Sequence, residues 1–293
     1  MGRRASKFSE RKIAERIRQG YGRGELSDYK SWFTVRDISS RGITTRFPSL
    51  ELGRSMLFLS NIELNTYLAK AREDGFFDYW EQLPCDRRET QEIARFLGVR
   101  HPVYFGSSRP MTMTLDGVVT FIRDKQVIQQ AIDCKPWLRL GDPRTEEKLA
   151  IHRIYAERRG WQYERFTEFS FNPQVIENLK WMRAAYPRVD DRLQVVGGYE
   201  MSAMRLFAQM KRDFETPRWR SEVRQYCYEF DAANNLPTGC GLVSLRILMY
   251  QKLVLTPSLE VPHLVTLRSP LSKLRLVELS HYGATPERWK AMA

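Results

Sequence analysis

Cysteine is scarce in this chain of 293 residues: Cys85, Cys134, Cys227 and Cys240 are its four, and no two stand in C-x-x-C spacing. None of the four histidines falls in zinc-ligand register with them, so a structural zinc is not expected, and so few thiols do not make a disulfide framework. Long apolar runs are missing as well: nothing approaches the ~18 residues that a membrane helix needs. The start, MGRRASKF, has no apolar stretch of the kind a secretory signal carries. A cytoplasmic location with no membrane partner is the expectation; MGRRAS also fits the loose N-myristoylation pattern, which is short enough to match by chance. Acid is in deficit, with 35 Asp and Glu against 47 Lys and Arg and a formal charge of +12. That excess can neutralise a polyanion and release its condensed counterions, which makes nucleic acid the leading partner class. A generally basic surface without such a partner is the competing reading.

What is present is enough to fold. Hydrophobic residues at 42% and aromatics at 12% support real cores, and the length suits two domains of roughly 100 to 150 residues each. A basic opening segment carries Ile13 and Ile17 four apart, a short helix that could lie along phosphates or pack on its isoleucines. WFTVRDISSRGITTRFPSLELGRSMLFLS reads as short strands broken by Gly42 and Gly53, and SNIELNTYLAKARED as a helix with Leu64, Tyr67 and Leu68 on one face. FFDYWEQLP reads as extended, RRETQEIARFLGV as helix, and MTMTLDGVVTFIRDKQVIQQAIDCKPW as a hairpin turning in RDKQ. A helix opened by Pro143, a strand at WQYERFTEF and an N-cap at Asn172-Pro173 follow. From about residue 170 the pattern becomes helical, and over 238–263 a helix runs into an extended pair with a Pro-Ser turn, the order of a winged helix. The expected fold class is therefore α/β, a mixed sheet flanked by helices over 1–169, with a helical, winged-helix-like domain over 170–293.

Four polar residues stand out against this map. Glu63 lies on the helix after the early strands, Asp116 on the first arm of the hairpin, and Asp133 and Lys135 on the second, where alternation puts both on one face and Cys134 on the other. Carboxylates gathered beside one amine suit a hard divalent cation and a phosphodiester, because the ion offsets charge on the scissile phosphate while a water is positioned for in-line attack. Lys135 is placed to orient or activate that water. Each residue also has a plain structural reading. Ser60-x-x-Glu63 fits a capping box, with Glu63 at the flank of its helix; Asp116 before Gly117 fits a bulge or turn; Asp133 with Lys135 fits a surface ion pair. In the C-terminal half, Trp219, Tyr226 and Tyr228 among Arg218, Arg220 and Arg224 fit a DNA-binding surface or an ordinary amphipathic helix.

The order Glu63, Asp116, Asp133-Cys134-Lys135 resembles the restriction-endonuclease-like fold. The strings FSERKIAERIRQG, WFTV, LSNIEL, EQLP, HPV, CKP and NPQVIENLKWM, in that order over most of the first 183 residues, are similar to the TnsA-type transposon endonucleases. The resemblance implies a Mg²⁺-dependent DNA endonuclease, with Mn²⁺ able to substitute, that cuts the 5′ strands of double-stranded transposon ends. It implies a TnsB-like DDE transposase that cuts and joins the 3′ ends, a TnsC-like AAA+ ATPase that contacts the C-terminal domain, and a bacterial cytoplasm with nucleoid association on DNA. By position Glu63, Asp116 and Lys135 match the family's catalytic residues; with Asp133 they are the expected catalytic set, the expected metal ligands are Glu63, Asp116, Asp133 and the Cys134 backbone carbonyl, and Gln82 on the neighbouring strand is expected as an outer group. Two positions depart: Asp133 stands where one member carries a Gln, although an acid is the more usual choice across the wider nuclease fold and should bind metal at least as well, and His152 stands where some members carry an acid, so His152 is expected on the surface. The competing function is a non-catalytic DNA-binding or assembly protein of a recombination complex, whose carboxylates merely cap and pair.

Overall fold

A computed structural model describes residues 8–37, 44–49, 51–185 and 196–277, with side chains omitted over 196–200. The N-myristoylation pattern and the expected break at Gly42 lie outside these residues. The chain divides into two compact units, Met1–Ser170 and Phe171–Ala293.

The first unit is a mixed α/β unit built on a four-stranded sheet. Helix α1 (Glu10–Arg18) starts where Ser9 Oγ accepts from the Lys12 amide. Strands β1 (Thr45–Ser49) and β2 (Arg54–Phe58) form an antiparallel pair. Helix α2 (Asn61–Lys70) is capped by Ser60, and is followed by β3 (Phe76–Pro84) and α3 (Arg87–Phe96). The expected hairpin is β4 (Thr114–Arg123) with β5 (Gln126–Cys134). Its turn residues, Asp124 and Lys125, sit at φ 50° and 64°, the left-handed pair that a two-residue hairpin loop demands. Helix α4 (Pro143–Glu157) opens on an Asp142 cap with proline at its first turn and leads to β6 (Gln162–Phe166). The sheet order is β3-β4-β5-β6, antiparallel except for the parallel β5–β6 pair.

Helices cover both faces. On one, Ile93 and Ala94 of α3 and Ile151, Tyr155 and Ala156 of α4 pack on Leu115, Val118 and Ala131. On the other, Tyr67 of α2 meets Phe58 and Tyr79 with ring centroids 5.4 and 5.3 Å apart. Each such buried aromatic contributes about 1.5–3 kcal/mol by leaving water.

The strand expected at Trp32–Val35 does not form. Trp32 is 1% exposed and packs with Phe8, Ile13 and Tyr104. Its carbonyl accepts from the Arg16 guanidinium, and the Asp37 carboxylate takes the Thr34 amide at 2.9 Å. Side chains satisfy this backbone, so no neighbouring strand is needed.

In the second unit, α5 (Pro173–Arg183) is capped by Asn172, and α6 (Val196–Asp213), α7 (Val223–Ala233) and α8 (Cys240–Tyr250) bury Leu206, Phe207, Tyr226, Phe230, Leu245 and Leu248. Asp231 caps α8 by accepting from the Gly239 and Gly241 amides at 2.7 and 2.6 Å. A Cβ at Gly241 would stand 2.4 Å from the Cys227 carbonyl, so glycine sets the α7–α8 approach. The ribbon expected across the Pro-Ser turn is not formed. Val254–Leu255, β7, pairs instead with β8 (Arg275–Leu276), and α9 (His263–Arg268) lies between them. Pro257 and Pro262 carry no amide to extend a ladder.

Candidate active site

The carboxylates and the lysine converge where β5 ends. Asp116 lies on β4 one residue before Gly117, which faces Ile132 across the β4–β5 ladder. Asp116 Oδ2 accepts from the Cys134 amide at 2.8 Å and from Lys135 Nζ at 2.6 Å. Lys135 Nζ also stands 3.0 Å from the Cys134 carbonyl and 3.5 Å from Asp133 Oδ1. One ammonium thus gathers two carboxylates and a main-chain carbonyl around a single point. Burial alone would lower the Lys135 pKa, but Asp116 and Asp133 hold it well above its ordinary value. Lys135 is a firm cation.

Asp133 and Cys134 face opposite layers. Cys134 Sγ lies 3.5 Å from Thr66 Oγ1 on α2. Asp133 is fully buried toward α4, and its Oδ2 accepts from His152 Nδ1 and from the Tyr163 hydroxyl, each at 2.8 Å. Burial pushes this carboxyl up, yet His152 and Lys135 carry it well below the usual range, so Asp133 stays ionised. The surface position expected for His152 is therefore wrong. The residue is 6% exposed, on the α4 face that also buries Leu149, Ile151 and Tyr155, and its Nε2 has no partner among the described residues.

Glu63 is 5% exposed, not at the rim where its helical position put it. The capping reading holds in altered form: Ser60 Oγ accepts from the Glu63 amide at 3.2 Å, but the Glu63 carboxylate takes the Leu59 amide on Oε2 at 2.9 Å, rather than the Ser60 amide, and the Ser60 hydroxyl on Oε1 at 2.9 Å. Gln82 joins it to the sheet, donating to Glu63 Oε2 at 3.1 Å and accepting from Thr114 Oγ1 at 3.2 Å. Gln82 has a φ of 51°, which turns its side chain out of regular alternation at the end of β3. Burial first, then the charge of Asp116, pushes the Glu63 carboxyl up to about 8. Glu63 and Asp116 therefore feel one another across a site that holds more acid than Lys135 neutralises.

Sequence reasoning missed Tyr79 and Tyr163. Tyr79 is fully buried, with its hydroxyl unpartnered among the described residues and near Cys134, Glu63 and Asp116. It lies over Gly117, where a Cβ would stand 2.2 Å from the hydroxyl, so the glycine makes room for the phenol. The D-G pair is thus a packing requirement. Period-two alternation could have placed Tyr163 beside Ala131, its partner in the parallel ladder and a neighbour of Asp133 on the same face.

Among the described residues no three Asp, Glu, His or Cys side chains already form a cation cage. The donors at the junction are nevertheless hard oxygens, Asp116 Oδ2, Asp133 Oδ1 and the Cys134 carbonyl, already drawn to a cation. With the orphaned Tyr79 hydroxyl and under-neutralised Glu63 beside them, this set fits Mg²⁺.

The C-terminal aromatics do not form an exposed platform. Trp219 and Tyr226 are buried, and the Tyr226 hydroxyl donates to Asp213 at 2.8 Å, while Tyr228 is 41% exposed.

Residues 77–168 match the family described as TnsA-like endonuclease N terminal. That span runs from β3 through β6 and holds Gln82, Asp116, Asp133, Lys135 and His152, with Glu63 ahead of it. Over 248 residues the chain is 32% identical to the transposon Tn7 transposition protein TnsA of Escherichia coli, covering 85% of this chain and 86% of that protein.

Proposed function

The chain belongs to the TnsA-type transposon endonucleases, and from that premise we propose that it hydrolyses the 5′ strands at transposon ends with Mg²⁺, as one subunit of a heteromeric cut-and-paste transposase. The observation that carries this reading is the convergence of Asp116 Oδ2, Cys134 O and Asp133 Oδ1 on Lys135 Nζ at 2.6, 3.0 and 3.5 Å. Asp116, Asp133, the Cys134 carbonyl and Glu63 would hold the metal, and Mn²⁺ offers the same hard chemistry. When bound, the ion supplies positive charge to the scissile phosphate and makes a bound water more acidic.

The protein's own groups do the rest. Lys135 keeps its proton, so its role is to donate: it orients the attacking water or a phosphate oxygen and stabilises the charge that develops there. Asp133 does not change protonation, because His152 and Tyr163 hold it as a carboxylate. Gln82 fixes Glu63 from behind. A fixed donor aimed at developing charge contributes about 10² to 10³ in rate.

A TnsB-like DDE transposase for the 3′ ends and a TnsC-like AAA+ ATPase meeting the C-terminal unit complete the proposal. The test mixes wild type or Lys135→Ala with end DNA, Mg²⁺ and the partner transposase. Wild type should nick the 5′ strands and the variant should not; equal nicking by both removes this mechanism. A non-catalytic assembly role is favoured by one observation, that Glu63 is already used as a helix cap. Under that role, Asp116→Ala would leave transposition products unchanged.

A further inference from the structure

We propose that the turn at Trp137-Leu138 is a wedge that enters the DNA beside the scissile phosphate and unstacks the adjoining base step. The proposal rests on the endonuclease reading and adds to it how the duplex is deformed for cutting.

The turn stands two residues beyond Lys135, at most ~7 Å along the chain. Any phosphate at the lysine therefore lies within reach of it. Leu138 is 90% exposed, Trp137 58% and Phe169 73%. Single exposed apolar residues are ordinary, but three together next to a catalytic amine are not. The Trp137 and Phe169 rings meet edge to face with centroids 6.4 Å apart.

The backbone beneath them is fixed. The Arg139 amide donates to the Pro136 carbonyl at 2.8 Å, Leu140 to Trp137 at 3.0 Å, and the Trp137 amide to Glu168 Oε2 at 2.9 Å. A held turn with bare apolar tips has prepaid the ordering that a wedge needs, and inserted leucine or aromatic side chains are a recurrent means of kinking a duplex.

Position beside Lys135, with a cation in the turn itself, points to DNA as the occupant. Arg139 is exposed in the same turn, with no ion pair among the described residues. On α4, Lys148 adds a further cation to this flank; its neighbours Arg144 and Lys135 are already paired with Glu147 and Asp116.

The test places 2-aminopurine at the base step beside the 5′ cut and measures its fluorescence and the nicking rate in the complex with the partner transposase. Duplexes paired or mismatched at that step are compared for wild type, Trp137→Ala, Leu138→Ala and the conservative Leu138→Met. Wild type should raise the fluorescence of the paired duplex. Each alanine variant should lose that rise and nick the paired end about tenfold more slowly, the scale of one lost stacking contact. A mismatch should return the alanine variants to within about twofold of wild type, since unstacking is then already done, and Leu138→Met should behave as wild type. Equal defects on both duplexes, no defect at all, or lost transposase binding with an unchanged fluorescence rise would each overturn the wedge, the last in favour of a protein-docking patch. Wild type that nicks neither duplex overturns the endonuclease reading, and the wedge with it.

Discussion

Divalent metal should raise the melting temperature of the first unit by an amount that tracks the acids of the site. Without metal, one ammonium serves two aspartates, 2.6 Å from Asp116 and 3.5 Å from Asp133, and Glu63 makes no ion pair among the described residues. A ligand that binds only the folded state stabilises it by about 2.7 kcal/mol at a hundredfold excess over its dissociation constant. For a unit ending at Ser170, one kcal/mol moves the melt by roughly 2–4 °C. Saturating Mg²⁺ or Mn²⁺ should therefore raise it by about 5–10 °C over EDTA, read by scanning calorimetry. Glu63→Gln and Asp116→Asn should each lose much of that increment. Lys135→Ala should separate two effects. Without metal it leaves two carboxylates facing one another, and because the lysine is 30% exposed the loss is about 1–3 kcal/mol, below that of a fully buried pair. With metal the increment should exceed that of wild type, since the ion then replaces the missing ammonium. A wild-type melt indifferent to metal, or equal increments in all four proteins, would refute the assignment of these oxygens as ligands.

Tyr163→Phe removes one 2.8 Å donor from a fully buried carboxylate and should cost about 1.5–3 kcal/mol in urea unfolding at neutral pH; a cost below about 0.5 kcal/mol would mean that Asp133 is not charged there. Asp37 is pushed up by burial, but Lys12, Thr34 and Arg16 carry its carboxyl well below the usual range. Its stabilisation is therefore present above the unfolded value near 4 and fades as pH falls below it; Asp37→Asn should flatten the acid loss of stability there, and an unchanged slope would refute the assignment. Asp133→Gln and His152→Glu should each destabilise, while the double change should cost less than their sum by about 0.5–3 kcal/mol, the coupling range of residues in contact; strict additivity would show the pair to be independent.

Much of the sheet was legible because its signals are local. The β4–β5 hairpin follows from alternating β-branched residues on either side of RDKQ, and α4 and α5 from a proline behind an Asp or Asn cap. Burial was not legible, because it depends on which layer covers a face. Glu63 looks like a rim residue until its turn folds under Leu59 and Gln82. Trp219 and Tyr226 pattern equally well as a DNA platform or a core, and the core won. Gln82 reads as an ordinary strand residue, and its left-handed φ leaves no one-residue signature. At β7, two prolines moved the pairing partner some twenty residues downstream.

Asp133 and His152 stand nineteen positions apart in the sequence, and the structure makes them one contact. An acid at position 133 must bury its charge completely, since no part of it reaches solvent. A second acid at position 152, 2.8 Å away, would leave two buried carboxylates facing each other, a arrangement that forces one to stay protonated. A histidine there supplies a hydrogen from Nδ1, and so lets position 133 be an aspartate whose Oδ2 is tied down while Oδ1 stays turned toward Lys135. An amide at 133 makes no such demand, because it carries no charge and can itself donate to an acid at 152. The aspartate and the histidine are thus two halves of one solution to the same problem, placing an oxygen beside Lys135 from the floor of a sheet.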